Sequence, residues 1–202
     1  MATQLFINEM KIKPENIINV DQIPRYFESE ASRTITTKGA KKVCIRKGSS
    51  SRKRFTLTLG ITAQGELLKP HCLFSKLKNK PKVEAGCAVA VNSSGMFNEA
   101  IVRSYIDEII LSRPETALEQ EKVLLLLDSY GSHIKVANSL DYEAKGVFIR
   151  IIPANLTSYL QPLDVVVNRS FQAHYSRMYD EYIQMAINDE DLQTRLGNPK
   201  VM

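Results

Sequence analysis

Three aspartates carry the chemistry that this sequence offers. Asp128 ends the apolar half of VLLLLDSYGSH, Val123–His133, in which five aliphatic residues run straight into a carboxylate and a polar turn. Asp21 closes the shorter run IINVD, and Asp164 lies within NLTSYLQPLDVVVNRSFQAHY. Carboxylates are hard oxygen ligands that suit Mg²⁺ or Mn²⁺. Two such ions ~3.5–4 Å apart can activate one oxygen and stabilise another during phosphodiester displacement. Each acid also has a plain structural reading. Asp128 alone fits an N-cap or turn residue after a buried strand. Asp21 alone fits a turn carboxylate, and Asp164 fits a helix-start acid favoured by the macrodipole. His133 either begins a helix or stands close to a scissile phosphate or behind Asp128.

The elements that must position these groups follow from periodicity. IINVD reads as a short strand ending on Asp21. VCIR, RFTLTLGITA with Phe55, Leu57 and Leu59 alternating, and ELLKPHCLF read as three further strands, with GSSS and QG at the turns. From Phe97 to Ser112, Ile101, Val102, Tyr105, Ile106, Ile109 and Ile110 recur at helical spacing, with Pro114 as the stop. KVLLLLD has no alternation, which suits a central strand covered on both faces. A helix over Ile134–Ala144, a strand at VFIRIIP and a long final helix complete the chain. Val165, Phe171, Tyr175, Met178, Tyr182 and Ala186 form the stripe of that last helix.

This order predicts an α/β domain, a mixed sheet flanked by helices. Ligands in such sheets gather outside the carboxyl ends of strands, where Asp21 and Asp128 are both expected. Asp164, Asn168, Phe171 and Tyr175 share one helical face, which turns Asp164 toward the sheet. Three converging carboxylates repel one another unless a cation lies between them.

Composition bounds the rest. With 202 residues, 44% hydrophobic and 24% charged, the chain suits one domain with a substantial core. No apolar run reaches the ~20 residues of a membrane span, and the N-terminus lacks the pattern of a secretory signal. Cys44, Cys72 and Cys87 are odd in number, scattered and without a CxxC pair. That argues against a disulfide scaffold and, despite His71 beside Cys72, against a structural zinc site. Neither a glycine-rich phosphate loop nor a Ser–His–Asp signature is present.

The net charge of +5 is unevenly spread. Residues 1–98 hold 17 Lys and Arg against 7 Asp and Glu, whereas the remainder holds 10 against 15. Lys38, Lys41, Lys42, Arg46, Lys47, Arg52, Lys53 and Arg54 form one acid-free cluster, and KLKNKPK, Lys76–Lys82, forms a second. Such clusters are either phosphate-binding surfaces or solvated loops.

The ordered set NVDQ, LLLLDSYGSH, IIPANLTSYLQPLD and NRSFQAHY resembles the DDE superfamily endonuclease/transposase domain, in its pogo/Tigger/jerky branch of mariner-like elements. QPLD after N-x-T-S is the most specific part, and the 36 positions from Asp128 to Asp164 suit the family. The resemblance covers about residues 15–182, read as the catalytic domain, with 183–202 as a C-terminal tail, the truncated end of that domain. It departs from the family pattern at Gln22, Ser129 and Gln172, in having no tryptophan, and in showing no helix-turn-helix region.

What the resemblance implies is a ribonuclease H-like fold. The first Asp would end the first strand, the second would end the fourth, and the third would open a late helix. Asp21, Asp128 and Asp164 would be metal ligands for a two-ion Mg²⁺ or Mn²⁺ site, and His133 the histidine that follows the second acid. Implied too are metal-dependent cleavage and strand transfer on DNA, a nuclear location, a possible homodimer and DNA backbone contacts from the Lys38–Arg54 cluster. The alternative is a catalytically inactive module that keeps the fold and binds DNA or protein.

Overall fold

A computed structural model describes residues 2–26, 54–77, 79–81, 86–118, 120–156, 161–163 and 167–188. Among these residues six strands form one mixed sheet: β1 (Ile17–Tyr26), β2 (Arg54–Thr62), β3 (His71–Ser75), β4 (Ala88–Asn92), β5 (Val123–Leu127) and β6 (Val147–Ile151). Their spatial order is β4-β3-β2-β1-β5-β6. β1–β2 and β2–β3 are antiparallel, whereas β3–β4, β1–β5 and β5–β6 are parallel. This is the expected mixed sheet.

Among the described residues the flanking helices are α1 (Ala2–Met10), α2 (Glu99–Tyr105), α3 (Pro114–Ala117), α4 (Gly131–Ser139) and α5 (Asn168–Asn188). Strand alternation sends Ile18, Val20, Val123, Leu125 and Leu127 to one face. There they pack with Val102, Tyr105, Ile106, Ile109 and Ile110 of the α2 region and with Val136 of α4. The opposite face buries Ile23, Leu57 and Leu59 beneath Leu163, with Phe171 of α5 against them. On that same side Phe6 of α1 meets the ring of Phe148 edge-on at 5.2 Å, and Arg150 stacks over Phe6. β5 is therefore covered on both faces, as its unbroken aliphatic run requires.

Several elements depart from the sequence expectation for identifiable reasons. β1 continues to Tyr26, so Asp21 lies inside a strand and not at its end; antiparallel pairing with β2 sustains it from Ile18 to Tyr26. The third strand begins at His71, because Pro70 precedes it and Leu67 makes only an isolated bridge to Ile61. AVAVN, Ala88–Asn92, adds an outer strand, which makes the strand before Asp128 the fifth in chain order.

The Phe97–Ser112 helix is real, capped by the Asn98 side chain accepting from the Ile101 N–H. It widens into a π-helical turn over Ile106–Ile110, and Pro114 opens α3 without closing the helix before it. That turn keeps Ile106, Ile109 and Ile110 buried together. Gly60 in β2 admits the same layer closely, since a Cβ there would lie 2.8 Å from the Tyr105 hydroxyl. The helix expected over 134–144 starts earlier, at Gly131, and ends at Ser139, where Leu140 takes a left-handed conformation. On the last helix Met178 and Tyr182 are exposed, so the stripe packs only through its first turns. VCIR lies outside the described residues.

His71 is a polar group held inside this core. It is 1% exposed, lies edge-on to the rings of Phe97 and Tyr105, and its Nδ1 has no hydrogen-bond partner among the described residues. Burial pushes its pKa below the ordinary value of 6.5; the charge of Glu108 opposes that shift and Lys80 adds to it. Below pH 6.5 the unfolded chain therefore binds a proton that the folded ring refuses, and stability falls as pH drops. Urea unfolding midpoints measured from pH 8 to pH 5 should decline below pH 6.5, and His71→Leu should flatten that decline. An unchanged pH slope in the variant would show that His71 does not contribute it.

Candidate active site

The site is built where β1 outlasts β5. Ile17, Ile18 and Asn19 pair with Leu124, Leu125 and Leu126, and there the parallel pairing stops. β5 ends at Leu127 while β1 runs on beside β2. Asp21 and Asp128 each lie two residues past the last pair, Asn19 with Leu126, so a continuation of that register would align them. Both residues therefore lie near the carboxyl end of β5, the region where α/β sheets bind ligands.

Their environments differ. Asp21 is buried, 8% exposed, and its Oδ2 accepts a 2.5 Å hydrogen bond from Asn168 Nδ2 at the start of α5. Neighbouring bonds hold the covering segment in place. Leu163 N–H donates to Asn19 Oδ1 at 3.4 Å, Asn19 Nδ2 donates to the Leu126 carbonyl at 3.3 Å, and Gln161 Nε2 reaches the Val20 carbonyl at 3.5 Å. Gln161 and Leu163 are both fully buried. The helix then continues along the sheet, where the Tyr175 hydroxyl donates to the Tyr26 carbonyl at 3.1 Å. Asn168, Phe171 and Tyr175 do share the sheet-facing side.

Asp128 is partly open, with 32% of its side chain exposed. Its Oδ1 accepts from the Tyr130 N–H at 3.1 Å and from His133 Nδ1 at 2.5 Å. A carboxylate only accepts, so His133 carries its proton on Nδ1. Both bonds fall on Oδ1, which leaves Oδ2 facing no hydrogen-bond donor among the described residues. α4 begins at Gly131 with Tyr130 in the capping position. Asp128 is therefore a turn residue bonded two positions on, and not the cap of that helix. Burial works to raise the pKa of Asp128, but the hydrogen bond and charge of His133, with the Tyr130 N–H, outweigh it and hold the carboxyl below its usual value.

His133 is completely buried, between the rings of Phe97 and Tyr130, and its Nε2 meets no partner among the described residues. It lies behind Asp128 and orients it. That is one of the roles its sequence position allowed.

The donor set fits a hard divalent cation: two carboxylates on adjacent strand positions, one ionised carboxylate oxygen uncommitted, and no thiolate or imidazole in a ligand position. Among the described residues no cluster of three or more His, Cys, Asp or Glu side chains stands ready for a metal. Asp164 lies outside the described residues, as do Lys38, Lys41, Lys42, Arg46, Lys47, Arg52 and Lys53. Arg54 is described and exposed, at the start of β2 opposite Tyr26.

Asn168 is a site residue without an assigned role in the sequence reading. Its signal was available: it falls four positions after Asp164 on the face that turns toward the sheet.

Comparison with known proteins places this geometry. The family model of the DDE superfamily endonuclease matches residues 52–198. The chain is 28% identical over 163 residues to the pogo transposable element with KRAB domain of Homo sapiens, and equally to that of Mus musculus. Those alignments cover 78% of this chain and 27% of each relative, so the chain spans about a quarter of the length of the curated relatives it matches. The solved catalytic domain of Mos1 mariner transposase superposes with a TM-score of 0.53 at 14% identity, covering 94% of this chain and 79% of that one. The Mos1 mariner paired end complex with Mn gives 0.54 at 14% identity, over 96% and 55%. At such identities the likeness concerns the fold, which is ribonuclease H-like.

Removing the ring behind Asp128 tests the positioning role. His133→Ala leaves a cavity and strips a buried hydrogen bond from a carboxylate, together worth about 3 kcal/mol of stability. Ser129→Ala, beside it, should stay within about 0.5 kcal/mol of the parent. Urea denaturation of the two variants against the parent checks both values.

Proposed function

Because the chain belongs to the DDE superfamily endonucleases, we propose that it is a metal-dependent, DDE-type nucleic-acid-processing domain that cleaves DNA phosphodiesters and transfers the freed strand. The observation that supports this reading is the β1–β5 register, whose continuation by two residues would align Asp21 with Asp128 at the end of a buried strand. Asp21 and Asp128 would hold the ions, with Asp164 as the third ligand. In sequence Asp164 follows Leu163, which bonds to Asn19, and precedes by four positions Asn168, which bonds to Asp21. Mg²⁺ or Mn²⁺ bound there would supply activation of the attacking oxygen and charge stabilisation of the leaving one.

The chain's own groups do the positioning. His133 fixes the Asp128 carboxylate through Oδ1, so that Oδ2 would be the oxygen available to an ion. Asn168 holds the Asp21 carboxylate from the opposite side of the crevice. The polyanionic substrate would be held along its backbone by Lys38–Arg54, since a cluster of eight basic side chains with no acid among them neutralises phosphates and releases their counterions. On this reading the protein acts on nuclear DNA, and the Mn complex of the Mos1 fold relative is consistent with the choice of ion.

Nicking of supercoiled plasmid DNA tests the proposal. The parent protein should relax the plasmid in Mn²⁺ or Mg²⁺ and stop when EDTA is added. Asp128→Asn should lower the rate by more than ~100-fold, beyond the ~10–100-fold typical of a residue that only orients a ligand. Circular dichroism on the variant checks that it remains folded. Retained plasmid binding without nicking by the parent protein, at any concentration of either metal, would replace cleavage with the inactive binding module.

A further inference from the structure

Two cysteines separated by fourteen residues in sequence come together at the open edge of the sheet. Cys72 lies on β3 and packs toward the face that carries α5, against the cluster of Ile23, Leu57 and Leu59. Cys87 sits one residue before β4 and is drawn in because β4 runs parallel to β3, with Ala88 opposite His71. The two sulfurs are 3.5 Å apart, with the Cys87 thiol donating to Cys72 Sγ. Both are free thiols and both are half-buried. Neither belongs to the carboxylate site, which lies across β2 and β1 from them.

The chain between them is the crossover that joins two parallel strands. It carries the basic run KLKNKPK, of which Lys76 and Lys80 are described and exposed. β4 is an edge strand whose ladder bonds go to β3 alone. A covalent tie from Cys72 to Cys87 would therefore close the base of the basic crossover and staple the edge strand to the sheet. The sulfurs need to approach by about 1.5 Å to reach the ~2.05 Å of a disulfide, a movement that the end of an edge strand can make.

We propose that Cys72 and Cys87 are a reversible disulfide site, oxidised by hydrogen peroxide, that locks β4 and the basic crossover onto β3. Cys87 attacks peroxide first and becomes the sulfenic acid, releasing one water. The Cys72 sulfur then attacks Cys87 Sγ, forming the S–S bond. The departing hydroxide takes the Cys72 proton and leaves as the second water. Both sulfurs are oxidised by one electron each and one peroxide is reduced to two waters, so the step balances. The order of attack follows from burial and the Cys87 contact, which push the Cys72 thiol up to about 12 and keep it the resolving partner.

The test uses the full chain with Cys44→Ser, so that the third cysteine cannot exchange. Equimolar hydrogen peroxide should lower the intact mass by about 2 Da, and a non-reducing tryptic map should join the Cys72 and Cys87 peptides. Dithiothreitol should reverse both changes. The thermal midpoint should rise by ~6–12 °C on oxidation, as closure of a loop of this length implies for a domain of this size. Cys72→Ser should instead trap Cys87 as a dimedone-reactive sulfenic acid. Sulfinic acid on Cys87 with no joined peptide would overturn the proposal. A joined peptide whose formation lowers the thermal midpoint would overturn the locking role.

Discussion

Three paired residues govern this molecule. The match of Ile17–Asn19 with Leu124–Leu126 joins two segments more than a hundred residues apart. Asp21 and Asp128 lie just beyond that short ladder, each two residues past its last pair. Slipping it by one residue would turn one carboxylate to the other face and separate the two acids. The ladder itself is held by aliphatic burial. Ile18, Leu124 and Leu125 are fully inaccessible, and a slip would exchange them for Asn19 and the acids.

Each acid at the end of that register has its own hydrogen-bonded support. A hydrogen bond to a charged group returns about 1.5–3 kcal/mol. Asn168 on Asp21 and His133 on Asp128 supply one such bond each. The two supports come from opposite layers. Asn168 belongs to the helix on one face and His133 to the helix packed on the other, so each acid is steadied by a different hydrophobic core.

The polar groups placed inside the α2–α4 layer have a related logic. Phe97 touches both His71 and His133, and Tyr105 touches His71. One aromatic group thus connects the edge half of the sheet to the wall behind Asp128. The edge strand β4, with Cys87 at its entrance, abuts the same layer through Ala90. Burial of imidazoles in such a layer sets their chemistry through desolvation, which is how His71 comes to resist protonation although nothing in its sequence context distinguishes it.

Much of the fold was legible in local pattern. The unbroken aliphatic run before Asp128 could only be a doubly covered strand, the alternation of Phe55, Leu57 and Leu59 marked β2, and the isoleucine stripe marked the α2 region. Asp21 and Asp128 stood out because a carboxylate after an apolar run is a poor core residue, and Asp164 by its place in QPLD on a face shared with Asn168, Phe171 and Tyr175. Less was legible where partners are distant. The length of β1 depends on β2 accompanying it past Asp21. β4 is a strand because β3 offers an edge, and α1 is positioned by Phe148 and Arg150 at the far side of the sheet. The scattered cysteines gave no sign of Cys72 meeting Cys87, since that contact is made by a parallel crossover.

The sequence by itself determined which side chains are available for chemistry and which face of each element is apolar, because hydrophobic periodicity is a property of neighbouring residues. Only the tertiary structure decided which strands lie side by side, that His133 bears on Asp128 Oδ1 and that Asn168 reaches Asp21. Periodicity says that a face must be buried but not against what. The choice of partner comes from closing the whole apolar interior at once, and no local stretch contains that information.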